Sequence, residues 1–137
     1  MKAGTSCRKL RDKVVRREIP TVARRGDGFA VRFTKWQRDL LAGSIEPVTN
    51  LRTEEAVLIR TGFTKNQITQ IESSLDGLEE HTYSVKELHV IYSVLVSVCS
   101  MFGPEEAFHT RTGFFRENAL GLAEGLVKAV GDARTDS

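Results

Sequence analysis

The apolar positions of this chain fall at steps of three and four over most of its length, and one such pattern occurs twice. Residues 54–75 read EEAVLIRTGFTKNQITQIESSL, with Ile68, Ile71 and Leu75 at helical spacing. Residues 105–126 read EEAFHTRTGFFRENALGLAEGL, with Ala119, Leu122 and Leu126 at the matching places. The segments share eight of 22 positions, where composition alone gives about one or two. The pattern points to a duplicated unit covering 53–75 and 104–126.

Each copy predicts two helices joined by a turn. Glu54 and Glu55, and again Glu105 and Glu106, put negative charge at a helix N-terminus. Thr53 suits an N-cap, and Pro104 suits the first helical turn, where its missing N–H has no partner to lose. Gly62 and Gly113 stop the first helices, and Thr64 with Gln67 forms a capping box for the next. Phe63 and Phe114, just after the glycines, are expected to be buried at equivalent places.

Between the copies, 76–83 reads as a connector, and Ser84 with Glu87 makes a second capping box. The following run, VKELHVIYSVLVSVCSMF, is rich in β-branched residues, yet Lys86, His89, Ser93, Ser97 and Ser100 form one stripe at helical steps. On a strand they would fall on both faces. A buried central helix over 85–101 is therefore expected. Upstream, residues 21–23 and 29–33 flank Arg-Arg-Gly-Asp-Gly and alternate apolar with other residues, which predicts a β-hairpin over 21–33. Residues 34–41 start a helix with Trp36, Leu40 and Leu41 inward, and Gly43 and Pro47 frame a loop. Residues 5–17 offer a basic helix with Cys7, Leu10 and Val14 on one side, and 131–137 reads as a disordered tail. The fold expected is mainly α: one helical domain over 18–130, with two duplicated helix-turn-helix units around a buried central helix and a short N-terminal β-hairpin.

The pattern at 53–75 resembles the helix-turn-helix of repressor-type DNA-binding proteins. Gly62 stands in the turn, Phe63 follows it, Ile68 and Ile71 lie six and nine positions beyond it, and Val57 lies five before. Phe114, Ala119, Leu122 and Phe108 take those places around Gly113. The family's small residue four before the glycine is Leu58 here and His109 in the second copy, a departure from its pattern. The resemblance implies a DNA-binding protein such as a transcriptional regulator, with 64–75 as its recognition helix.

Charge sharpens that expectation. Residues 1–38 carry 12 Lys/Arg against three acids, and residues 39–137 carry eight against 15. A basic arm on an acidic body suits a polyanion, its own body or a second copy. Only Cys7 and Cys99 are present, and His81, His89 and His109 have no metal-ligand spacing, so neither a disulfide framework nor a metal site is expected. No phosphate loop or nucleophile–base pattern appears, and the chain is expected to be no enzyme and to need no cofactor. With no secretory signal and no apolar run long enough to cross a bilayer, a cytoplasmic location is the default.

Two functional readings follow. As a DNA reader, copy one would present Asn66, Gln67, Thr69 and Gln70 to base edges, with Ser73 alongside. Lys65, Arg60 and the arm residues Arg8, Lys9, Arg16 and Arg17 would supply phosphate contacts. As a protein-interaction module of the antitoxin, immunity or adaptor kind, it would use its acidic helical body instead. A face joining Lys65, Arg60 and the arm favours DNA, and acid beside Lys65 favours a protein. A homodimer is open in either case, since operators are two-fold symmetric.

Overall fold

The computed structural model describes residues 19–76 and 80–133. The basic arm 1–17, with Arg8, Lys9, Arg16 and Arg17, and residues 134–137 of the expected tail 131–137 lie outside the described residues, while positions 131 and 132 belong to the last helix and not to a disordered tail. Strands β1 (Thr21–Arg25) and β2 (Gly28–Arg32) form the expected hairpin. Its two-residue turn begins at Gly26, whose φ of +56° would strain a residue bearing a Cβ. A third strand, β3 (His81–Tyr83), pairs antiparallel with the other edge of β2, with Val31 opposite His81 and Phe29 opposite Tyr83. This corrects the reading of 76–83 as a plain connector. Three residues carry too little alternation to announce a strand, and their partner lies fifty positions upstream.

The described residues also form six helices: α1 (Lys35–Thr49), α2 (Glu54–Thr61), α3 (Lys65–Ser74), α4 (Val85–Cys99), α5 (Glu105–Thr112) and α6 (Arg116–Asp132). The molecule is thus mainly helical, with one small antiparallel sheet. Helix α1 runs straight through Gly43 and Pro47, where a loop was expected. A proline inside a helix costs about 3 kcal/mol. Ile45 and Val48 on either side are almost wholly buried, and each such side chain contributes about 1.5–3 kcal/mol. Burial therefore outweighs the local preference, and the helix continues to Thr49.

Helix α4 starts at the Ser84–Glu87 capping box, as expected, and ends at Cys99 rather than Met101. It does not hold the centre alone. Leu40, Leu41, Ile45 and Val48 of α1 enter the same core as Ile91, Val94, Leu95 and Val98 of α4, and the two helices pack along each other. Helix α1 also packs on α3, α5 and α6, and α4 on α2, α3 and α6, so each long helix reaches the helices that follow the other. The expected single central helix is in fact a pair.

The same local bonds recur in both short-helix segments. Gly62 and Gly113 close α2 and α5 at φ +83° and +82°, donating to Leu58 O and His109 O. The Thr61 hydroxyl donates to Val57 O and accepts from the Phe63 N–H, and Thr112 does the same with Phe108 O and the Phe114 N–H. The two rings differ, however. Phe63 is buried, whereas Phe114 is half-buried with its ring edge-on to Trp36 at 5.7 Å. Equal burial was expected, and Phe114 departs from it.

The polar stripe of α4 has a specific task. Ser93 donates to Thr61 O at 2.5 Å and Ser97 to Arg60 O at 3.1 Å, so the stripe satisfies carbonyls at the C-terminal end of α2. Fifty positions before Ser93, Gly43 of α1 meets the end of α5. A Cβ there would lie 2.8 Å from Thr112 O. One helix end is held by hydroxyls and the other by close approach. Gly43→Ala should therefore destabilise by about 1–3 kcal/mol despite the better helix propensity of alanine, because a backbone carbonyl has to move. Ser93→Ala should cost about 0.5–1.5 kcal/mol. Urea denaturation measures both, and an unchanged midpoint for Gly43→Ala would contradict the packing described.

Candidate functional site

Two surfaces are candidates. The first is the outer face of α2 and α3. Thr53 caps α2, and Thr64 with Gln67 caps α3 as expected. Those caps decide which side chains remain free. The Gln67 Oε1 accepts from the Thr64 N–H at 2.9 Å and is committed to the box. Arg60 reaches across to α4 and donates to Ser100 Oγ at 2.9 Å. Thr69 donates to Lys65 O, and Ser73 to Thr69 O. Asn66 and Gln70 are exposed and make no hydrogen bond among the described residues. Of the residues singled out from sequence, these two and the half-exposed Lys65 remain available on one helix face.

Charge at the head of α3 is negative. Glu54, first residue of α2, turns its Oε1 onto the Lys65 N–H at 2.9 Å, and Glu55 beside it is exposed. A carboxylate at a helix N-terminus is stabilising. It also occupies the Lys65 N–H, one of the donors that a phosphate would use there. In the second segment Glu105 accepts from the Arg116 N–H in the same way, and Arg116 is drawn in further. Its guanidinium pairs with Glu105 at 2.9 Å and donates to Cys99 O, Phe102 O and Gly103 O. Arg116 is an anchor that ties α6 to the end of α4.

The second surface was not singled out from sequence. The N-terminal half of α4 and the C-terminal half of α6 enclose a groove of about 280 Å³ lined by Val85, Leu88, His89, Tyr92, Leu126, Val127 and Val130. Leu88 and Leu126 are buried, while Val85 is 62% and Val127 is 54% exposed. The His89 ring stands at the edge of Phe63, 5.0 Å between centroids. Helix α6 runs six residues past Leu126, and this extension supplies two of the lining valines.

A second groove makes the contrast. Lys35, Arg38, Asp39 and Ala42 of α1 line it with Glu72 and Ser73 of α3 and with Leu75 and Asp76 just beyond. The four α1 positions lie fifty before Val85, Leu88, His89 and Tyr92. Here the lining is charged: Lys35 bonds Asp39 at 3.1 Å within the groove, and Arg38 donates to Phe33 O at 2.8 Å outside it. One groove is built for water and the other is not.

No family model matches the chain, and no curated protein or solved structure matches it either. Among the described residues no group of three His, Cys, Asp or Glu side chains could hold a metal ion, and no helix is long and apolar enough to cross a membrane.

Cys99 is half-buried, with its thiol directed at Leu95 O at 3.2 Å. Burial pushes it from 9.0 up to about 11, against the opposing pull of Arg116. Below pH 9 folded and unfolded chains both keep the proton. Between 9 and 11 only the unfolded chain releases it, so this thiol withdraws stability as pH rises through that window. In a Cys7→Ser variant, iodoacetamide at pH 8 should label Cys99 far more slowly in the native protein than in urea. Equal rates in both states would contradict the environment described.

Proposed function

We propose that the chain is a non-enzymatic protein-interaction module that receives an amphipathic helix of its partner in the groove between α4 and α6. The observation that carries this reading is the open pair Val85 and Val127 over a floor of Leu88 and Leu126. Apolar side chains left in water beside a preformed groove suit a helix that lays its own apolar edge there. The charged groove fifty positions earlier supports the same reading, because the geometry recurs without the chemistry. The Glu54 carboxylate beside Lys65 adds to it: acid at that position repels a phosphate backbone.

We also propose that 53–75 and 104–126 are copies of one helix-turn-helix unit. Support comes from matched glycine stops, matched threonine bonds and matched glutamates over the second helices. Further support comes from Val31 and His81, which are fifty positions apart and pair directly, as two copies about a local two-fold would. Copy one has a polar outer face, whereas the apolar groove lies where the end of copy two, at Leu126, meets α4.

A DNA-binding role, as a helix-turn-helix regulator, is the second reading. It draws on the uniformly polar outward row Asn66, Thr69, Gln70 and Ser73 and on the uncommitted amides of Asn66 and Gln70. A single comparison separates the two. The full chain and a Val127→Asp variant are used to capture partners from native lysate, with and without nuclease. A defined protein captured in stoichiometric amount, indifferent to nuclease and lost with Val127→Asp, is the expected result. Recovery of nucleic acid alone, lost on Gln70→Ala and unaffected by Val127→Asp, would overturn it in favour of DNA.

A further inference from the structure

We propose that the groove between α4 and α6 takes a partner helix of about three turns, with acids bordering its apolar edge on one side and bases on the other. The inference rests on the groove reading above and specifies the partner's chemistry. An apolar strip runs on beyond the groove itself. On α4, Val85, Tyr92 and Val96 stand at i, i+7 and i+11 on one helix face, and Val85 and Val96 are both exposed. On α6, Leu120 and Val127 stand seven apart and are exposed as well. The Arg116 Nε donates to Cys99 O at 2.8 Å, so the start of α6 lies beside the end of α4. The groove joins the opposite ends of the same two helices. They therefore run antiparallel, and Val96 and Leu120 continue the strip in one direction. From Val85 to Val96 the strip is about 16 Å long at 1.5 Å per residue, the length of a three-turn helix.

The two banks of this strip differ in charge. Lys86 is exposed at the head of the α4 polar stripe, on the side where Ser93 and Ser97 bond α2. The one acid of α4, Glu87, turns back onto the Ser84 N–H at 2.8 Å. On the other bank Glu117 and Glu124 are exposed, seven apart along α6. Lys128 follows Val127 on this bank, and Asp132 meets it at 3.3 Å. A helix laid on the strip thus has a cation on its α4 side and two carboxylates on its α6 side. Charge complementarity selects acids facing α4 and bases facing α6, while the apolar edge supplies most of the affinity. Turning such a helix end for end exchanges its flanks, so the same pattern sets the direction in which it lies.

The test uses the full chain and three fluorescent synthetic peptides that share leucines at i, i+3, i+7 and i+10. They differ only in the flanks of that edge: glutamates on one and lysines on the other, glutamates on both, or lysines on both. In anisotropy titrations at about 0.1 M salt the mixed peptide should bind about fivefold tighter than either uniform one, and the difference should fade near 1 M. Lys86→Glu should shift the preference to the lysine peptide, and Glu117→Lys with Glu124→Lys to the glutamate peptide. A gain of affinity for one peptide cannot come from unfolding. Equal affinity for all three, or preferences unmoved by the charge reversals, would overturn the proposal and leave the groove reading intact, provided Val127→Asp still weakens every peptide. Binding indifferent to Val127→Asp, or no binding at all, would overturn the groove reading together with it.

Discussion

Everything in this fold depends on one contact, the packing of α1 along α4. Neither helix is stable by itself in water at fifteen residues, and α1 carries a proline. Eight aliphatic side chains from the pair are all but removed from solvent, and their burial sets the axis against which the other four helices pack. Because α1 reaches α5 and α6 while α4 reaches α2 and α3, the two halves of the chain interlock and do not merely lie side by side. Neither half can bury its own core without the other.

The interlocking explains why polar chemistry appears where it does. A short helix ends in carbonyls that lack partners, and each long helix receives one such end. Ser93 and Ser97 answer those of α2 with hydroxyls, and Gly43 lets the end of α5 come close enough to pack. Tyr83 joins the sheet to α3 through a hydrogen bond with Ser74 of 2.6 Å, and burial raises its phenol above the ordinary value. The same division of labour extends to the surface. The groove over α1 is lined mostly by charged side chains and the groove over α4 by apolar ones.

Local rules were legible from sequence, and long-range ones were not. The caps at Thr53, Thr64 and Ser84 and the stops at Gly62 and Gly113 involve neighbours within four residues, which a sequence displays directly. The α4 stripe was legible as helical periodicity, although its purpose needed the carbonyls of Arg60 and Thr61. Strand β3 was hidden because its pairing partner is distant, and α1 was cut short because Pro47 weighs against a helix until the burial of Ile45 and Val48 is known. The candidate site shows the same limit. Side-chain inventory put Gln67 and Arg60 on an outward face, but a capping bond holds one and Ser100 holds the other. The groove residues Val85 and Val127 lie on different helices, 42 positions apart, and only tertiary packing brings them together.

The interlocked core can be tested by native-state hydrogen exchange across a series of denaturant concentrations. The amides of Val57, Ile68, Phe108 and Leu122 should exchange through the same global opening as those of Leu41 and Ile91, with one slope and one free energy. Two families of amides, one from 19–76 and one from 80–133, opening at separate denaturant concentrations would contradict the claim that neither half stands without the other.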